Sequence, residues 1–181
     1  MKKFFYLFIS FLFFLPLLET ANAQWSVGAT YEYRNEDPNN GFGLRVEKGV
    51  LEGLPILDLN LRGHFSYFNE TTQVSRQNIS FSSDLDVYDF GLAALVGVSI
   101  GLVTPYVGAG IGNERFKLDT DLEGLSFKER NFYWNGFAGA EVEILPYLKP
   151  FIEFRAGKLT STDEVEVDNI NRLAIGLIFR F

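Results

Sequence analysis

The chain holds a single histidine, His64, two residues before Ser66 in the stretch His-Phe-Ser. A serine hydroxyl becomes a nucleophile when a base within hydrogen-bond reach takes its proton and a third group orients that base. On a strand, residues two apart share a face, so this spacing points both side chains the same way. The acid that would complete the set is not obvious: Glu70 is too close in sequence and falls in a polar stretch. Read from its neighbours alone, His64 is a polar side chain satisfied near a strand end. Carboxylates also gather in DTDLEG (119–124) and TDEVEVDN (162–169), where oxygen ligands for a divalent cation would have to come from. Neither stretch has the EF-hand spacing, and both read as solvated acidic loops. GAGIG (108–112) lacks the Lys-Ser/Thr and the following helix of a phosphate-binding loop. No metal and no cofactor is expected.

A larger set of charged residues alternates with apolar ones along the whole chain. Glu32, Arg34, Arg45, Glu47, Asp58, Arg62, Asp89, Glu141, Glu143, Glu153, Arg155, Arg172 and Arg180 share their faces with glycine, alanine and other small or polar residues. His64 and Ser66 fall on that same face. Charges enclosed together are costly unless paired, so these arginines and acids are expected to interlock around some enclosed water. Their plain role is to fill an interior. The sharper alternative is a path for protons or small ions, gated by Arg–Glu pairs. An open pore is not expected.

Strands must position these residues. Trp25–Arg34 sets Trp25, Val27, Ala29, Tyr31 and Tyr33 against Ser26, Gly28, Thr30, Glu32 and Arg34. The same period of two runs through GFGLRVEKGV, ILDLNLRGHFSYF, DVYDFGLAALVGVSI, PYVGAGIGNE, FYWNGFAGAEVEI, PFIEFRAGK and the terminal LAIGLIFRF. Turns near LEGLP, IGLVT and LPYLK are short. The connections near residues 35–40, 68–83, 113–131 and 159–168 are polar and mostly longer. Short turns at one end, long loops at the other and an even strand count predict an eight-stranded antiparallel up-and-down transmembrane β-barrel, an all-β fold.

The two ends of the chain agree with this. Residues 1–23 carry Lys2 and Lys3, an apolar core and the small-x-small triplet Ala21-Asn22-Ala23, which predicts a signal peptide removed before Gln24. The core is too short for a spanning helix. Residues 24–181 form the single barrel domain. Without the signal peptide the net charge moves from −7 to about −8, which excludes a nucleic-acid footprint. There is no cysteine, so disulfides, thiolate zinc and a cysteine nucleophile are excluded as well.

A soluble barrel of the lipocalin sort also alternates, with the faces inverted. Glycines on a solvated face would weaken strands and pack against nothing, whereas in a narrow lumen they leave room for Arg and Glu. Trp25, Tyr31, Tyr33, Phe42, Phe65, Tyr67, Phe132, Trp134, Phe179 and Phe181 stand near strand ends, where interfacial girdles belong. The apolar face is therefore expected to meet lipid.

These alternating strands, PYVGAGIG after a short turn and a last strand ending in Arg180-Phe181, resemble the small bacterial outer-membrane β-barrels of the OmpA membrane domain and OmpX type. The resemblance covers residues 24–181. It implies an integral protein of the bacterial outer membrane, a cell-envelope location among lipid and lipopolysaccharide. It also implies assembly-machinery recognition through Phe179 and Phe181. A structural or surface-binding role, including adhesion through the extracellular loops, is expected of a monomer. A narrow channel or a translocator of small hydrophobic molecules is the alternative. His64-x-Ser66 is similar to the His-x-Ser of lipid A deacylases, but Tyr67 stands where those have asparagine, so an enzyme is not expected. A lipocalin-like carrier is the remaining non-membrane reading.

Overall fold

The computed structural model describes residues 25–51, 57–76, 79–120, 127–160 and 169–181. The expected signal peptide, residues 1–23, and most of the acidic stretches DTDLEG and TDEVEVDN lie outside the described residues. Eight strands follow in order: β1 (Trp25–Arg34), β2 (Asn40–Leu51), β3 (Leu57–Arg76), β4 (Ile79–Val98), β5 (Val103–Thr120), β6 (Phe127–Val142), β7 (Leu148–Thr160) and β8 (Asn169–Arg180). Each is antiparallel to its neighbours, and β1 pairs back onto β8 to close the barrel. Trp25 and Phe181 exchange backbone hydrogen bonds of 3.1 and 2.9 Å at the seam. Closure pairs the wall's backbone polar groups, which is what permits strands to cross hydrocarbon.

Side chains alternate as the period of two requires. In β1, Ser26, Thr30, Glu32 and Arg34 are buried while Tyr31 and Tyr33 are exposed. Around the wall Leu44, Leu61, Leu92, Val107, Ile152 and Leu177 are all more than half exposed. Large aliphatic side chains outside and arginines inside invert the arrangement of a water-soluble barrel. Rings pair on the outer surface: Tyr31 meets Phe42 at 5.6 Å and Tyr67 meets Tyr88 at 5.1 Å toward the long-loop end. Tyr147 meets Phe179 at 5.6 Å at the other end. The β4–β5 connection is a two-residue loop closed by bonds between Ile100 and Val103, with Gly101 at φ +62° supplying the left-handed residue it needs.

The structure corrects the expected loops. Residues 68–83 and 113–131 are largely strand, because β3 runs to Arg76, β4 starts at Ile79, β5 runs to Thr120 and β6 starts at Phe127. Beyond the apolar band the outward face of these hairpins turns polar while apolar side chains such as Phe68 and Val87 turn inward, so the pattern that marks a lipid-facing strand inverts while the backbone ladder continues. Polar cross-strand contacts take over: Tyr67 donates to Asp86 Oδ1 at 2.7 Å and Asn69 donates to the same oxygen at 2.8 Å.

Candidate functional site

Eight strands enclose a space that side chains can fill, and here charge fills most of it. Near the short-turn end, Arg62 of β3 donates to Glu47 of β2 at 2.7 Å and to Glu153 of β7 at 2.5 Å. Glu153 also accepts from Tyr106 Oη at 2.9 Å and Arg155 at 2.9 Å, and lies 3.5 Å from Arg45. The Arg45 guanidinium stacks on Phe151, 3.3 Å from the ring centroid. At mid-height, His64 Nε2 stands 2.9 Å from Tyr133 Oη and 3.1 Å from Arg155. Tyr133 donates to Asp89 at 2.5 Å, and Asp89 is ion-paired with Arg172. Toward the long-loop end, Glu114 receives Arg172 at 3.1 Å and Arg34 at 2.5 Å. Arg34 then donates to the carbonyls of Glu36, Asp37 and Pro38, holding the β1–β2 loop over the mouth.

The contacts join into one ladder along the barrel, from Glu47 through Arg62, Glu153, Arg155, His64, Tyr133, Asp89, Arg172 and Glu114 to Arg34. Aromatic rings separate its rungs: Arg62 packs over Phe137 at 4.8 Å and Arg34 over Phe68 at 4.8 Å. Among the described residues the buried carboxylates are Glu32, Glu47, Asp89, Glu114, Glu141 and Glu153. The buried cations are Arg34, Arg45, Arg62, Lys149, Arg155 and Arg172, so the two signs balance six to six. Balance is what a poorly solvated interior requires. Gly112 makes room for the mid-height rung, since a Cβ there would stand 2.3 Å from the Tyr133 ring.

Ten of the residues singled out from sequence are buried in this lumen: Glu32, Arg34, Arg45, Glu47, Arg62, Asp89, Glu141, Glu153, Arg155 and Arg172. Arg180 is half-buried at the short-turn mouth, 3.9 Å from Glu141. Asp58 is not brought into the ladder; it accepts from Ser99 Oγ at 2.9 Å at the rim. Glu143 lies beyond the end of β6 and is bridged by Lys149 at 3.0 Å. Sequence reasoning missed Glu114, Tyr106, Tyr133, Asn135 and Lys149. Glu114 was legible by continuing the inward series Gly108, Gly110, Gly112 one step, into what was read as a loop. Glu114, Tyr133, Asn135, Arg155 and Arg172 also line a cavity of about 10 Å³, near the lower limit for one water. Neither polar atom of the Asn135 amide has a protein partner.

His64 and Ser66 share the lumen face, yet no hydrogen bond joins them. Ser66 donates to Glu32 Oε1 at 2.9 Å, alongside Thr30 at 2.9 Å, while His64 is engaged by Tyr133 and Arg155. The serine therefore faces an acceptor that is part of the packing, with the histidine turned to another rung.

An antiparallel barrel closed in chain order, apolar outside and ionic within, is a transmembrane up-and-down β-barrel. Residues 8–181 match the family described as outer membrane protein beta-barrel domain, and the chain belongs to that family. Solved structures share the fold at low identity. Neisserial surface protein A is 17% identical, with TM-score 0.62 over 89% of this chain and 98% of that one. A major outer membrane protein from Thermus thermophilus is 15% identical, with TM-score 0.63 over 89% and 100%. Ail, the attachment invasion locus protein of Yersinia pestis, solved with the heparin analogue sucrose octasulfate, is 17% identical, with TM-score 0.57 over 88% and 97%. No curated protein matches the chain in sequence.

Proposed function

We propose that residues 1–23 export this chain to the bacterial outer membrane. There, residues 24–181 act as a closed integral barrel with a structural and surface-binding role, borne by the strand extensions of β3–β4 and β5–β6. The observation that carries this reading is the ladder from Glu47 to Arg34. It occupies the lumen with bonded, charge-balanced side chains and leaves the outer hairpins as the surface available for recognition. Ail's designation as an attachment protein on the same fold supports an adhesive use of such hairpins. Phe179 and Phe181 present the terminal strand to the assembly machinery, and the barrel works as a monomer surrounded by lipid and lipopolysaccharide.

The test is electrophoretic mobility of the detergent-purified protein with and without boiling, outer-membrane fractionation, and conductance in planar bilayers. A heat-dependent mobility shift, outer-membrane location and no steady conductance are expected. Sustained ion current from the purified barrel would replace this reading with a channel. A soluble chain whose mobility does not change on heating would replace it with a lipid-carrying soluble barrel.

A further inference from the structure

The sequence as a whole is acidic, at −7, yet the outer rim of β5 and β6 is basic. Arg115 pairs directly with Arg130, and Lys117 with Lys128, in the antiparallel register. Arg115, Lys128 and Arg130 are exposed on the outer side of the wall, and on β7 Lys158 is exposed beside Trp134. At the same level the rest of the rim offers Tyr33, Asn40, Asn69 and Asn171, with Asp84 and Asp86 on β4. Asp86 is engaged by Tyr67 and Asn69. Among the described residues none forms an ion pair with Arg115, Lys128 or Arg130. Like charges directly opposed across a strand pair destabilise it, so Arg115 against Arg130 is a cost that an anionic ligand would offset, whereas Lys117 stands opposite Asp86 on its β4 side.

Two concavities mark where such a ligand would sit. One, of about 400 Å³, lies among Tyr88, Arg115, Lys117, Lys128 and Arg130, with Glu129 the one acid among the described residues on its lining. The other, of about 630 Å³, is an apolar groove in the lipid-facing wall lined by Leu44, Val46, Gly63, Phe65, Leu92 and Phe132. Gly63 opens it: a Cβ added there would meet only Leu92 Cδ2, at 3.7 Å. The groove reaches Asn113 and Phe132, which pair with each other, and Arg115–Arg130 is the next outward pair along the ladder. That is a step of roughly 7 Å. Exposed cations thus stand directly above an apolar slot.

We propose that this face binds a lipid of the outer leaflet whose sugar headgroup carries two or more phosphates, as in lipopolysaccharide. The phosphates lie on the β5–β6 cations and one acyl chain lies in the groove at Gly63. The inference rests on the outer-membrane reading above and names the partner of that surface. The three exposed cations Arg115, Lys128 and Arg130 outnumber the charge that a single-phosphate glycerolipid brings.

The experiment is native mass spectrometry of the folded barrel in detergent. It is titrated with diphosphoryl lipid A, dephosphorylated lipid A, phosphatidylglycerol and, as a chain-free probe, inorganic pyrophosphate. Diphosphoryl lipid A should be retained most strongly. Arg115→Gln with Arg130→Gln should lower its affinity roughly thirtyfold, the scale of two cations at an anionic surface. That double variant removes a like-charge pair, so it should fold at least as well as the parent. Gly63→Leu adds bulk at the groove, with its Cβ in ordinary contact with Leu92 Cδ2; it should weaken lipid A severalfold and leave pyrophosphate binding unchanged. Equal retention of phosphorylated and dephosphorylated lipid A, or indifference to the double substitution, overturns the proposal. Pyrophosphate binding as tightly as lipid A, with no effect of Gly63→Leu, overturns it in favour of a soluble polyanion site. A heat-shifting barrel that retains no lipid A overturns this inference alone, whereas a soluble chain overturns the reading beneath it as well.

Discussion

Replacing Glu153 by Gln removes the anion on which the short-turn half of the ladder converges. Glu153 accepts from Arg62 at 2.5 Å, Arg155 at 2.9 Å and Tyr106 at 2.9 Å, with Arg45 at 3.5 Å. After the change, Arg62 keeps Glu47 at 2.7 Å and Arg45 keeps the same carboxylate at 3.4 Å. Among the described residues Arg155 has no such second anion in hydrogen-bond contact; its remaining bond there is to His64 at 3.1 Å. One guanidinium is stranded, and the buried charges shift from balance to an excess of one cation. Removing one partner of a buried pair costs roughly 3–5 kcal/mol, so a loss of about 4 kcal/mol is expected. Glu153→Leu with Arg155→Met removes both partners and should recover most of that loss. Reversible urea unfolding in detergent, read by tryptophan emission, measures it, because Trp25 and Trp134 both lie on the outer face of the wall. A loss below about 1 kcal/mol, the range of exposed ion pairs, with no recovery in the double variant, would refute the reasoning. Glu153 would then be hydrated, and the lumen would be a water-filled passage.

Two other substitutions test the packing and the seam. Gly112→Val should abolish the heat-shifting folded form, since even its Cβ would stand 2.3 Å from the Tyr133 ring. Gly136→Val, on the lipid side with its nearest atom at 3.9 Å, should fold normally, and gel mobility separates the two. Phe179→Ala with Phe181→Ala should cut outer-membrane yield in cells while leaving spontaneous refolding in detergent largely intact. Equal losses in both settings would assign these rings to stability alone.

The facing of every strand was legible because a period of two survives without any knowledge of neighbours. Leu173, Ile175, Leu177 and Phe179 mark a lipid face whatever β8 pairs with. The extent of the outer hairpins was not legible, since Asn69 and Asp86 pair on the outward face of β3 and β4 where Phe68 and Val87 have turned inward, the reverse of the lipid-facing pattern. The partners inside the lumen were less legible still. Arg34 meets Glu114 across 80 residues and Arg62 meets Glu153 across 91, distances bridged only by register and closure. A pairing slip of one residue in β7 would turn Glu153 and Arg155 toward lipid and strand Arg62.

That coupling explains why acidic and basic residues can be placed so differently in one small protein. Within the lumen the signs must cancel, because each unpaired charge there is costly, and among the described residues they cancel six to six. The buried charges of the described residues therefore contribute nothing to the net −7 of the sequence. The outer wall is free of that constraint, so a run of cations on β5 and β6 is not forced by folding. Arg115 opposite Arg130 works against the strand pair that holds them, while the same two strands bring Glu114 and Tyr133 into the ladder from their inner faces. One hairpin thus carries a balanced inner face that stabilises the barrel and an unbalanced outer face that calls for an anion from outside it.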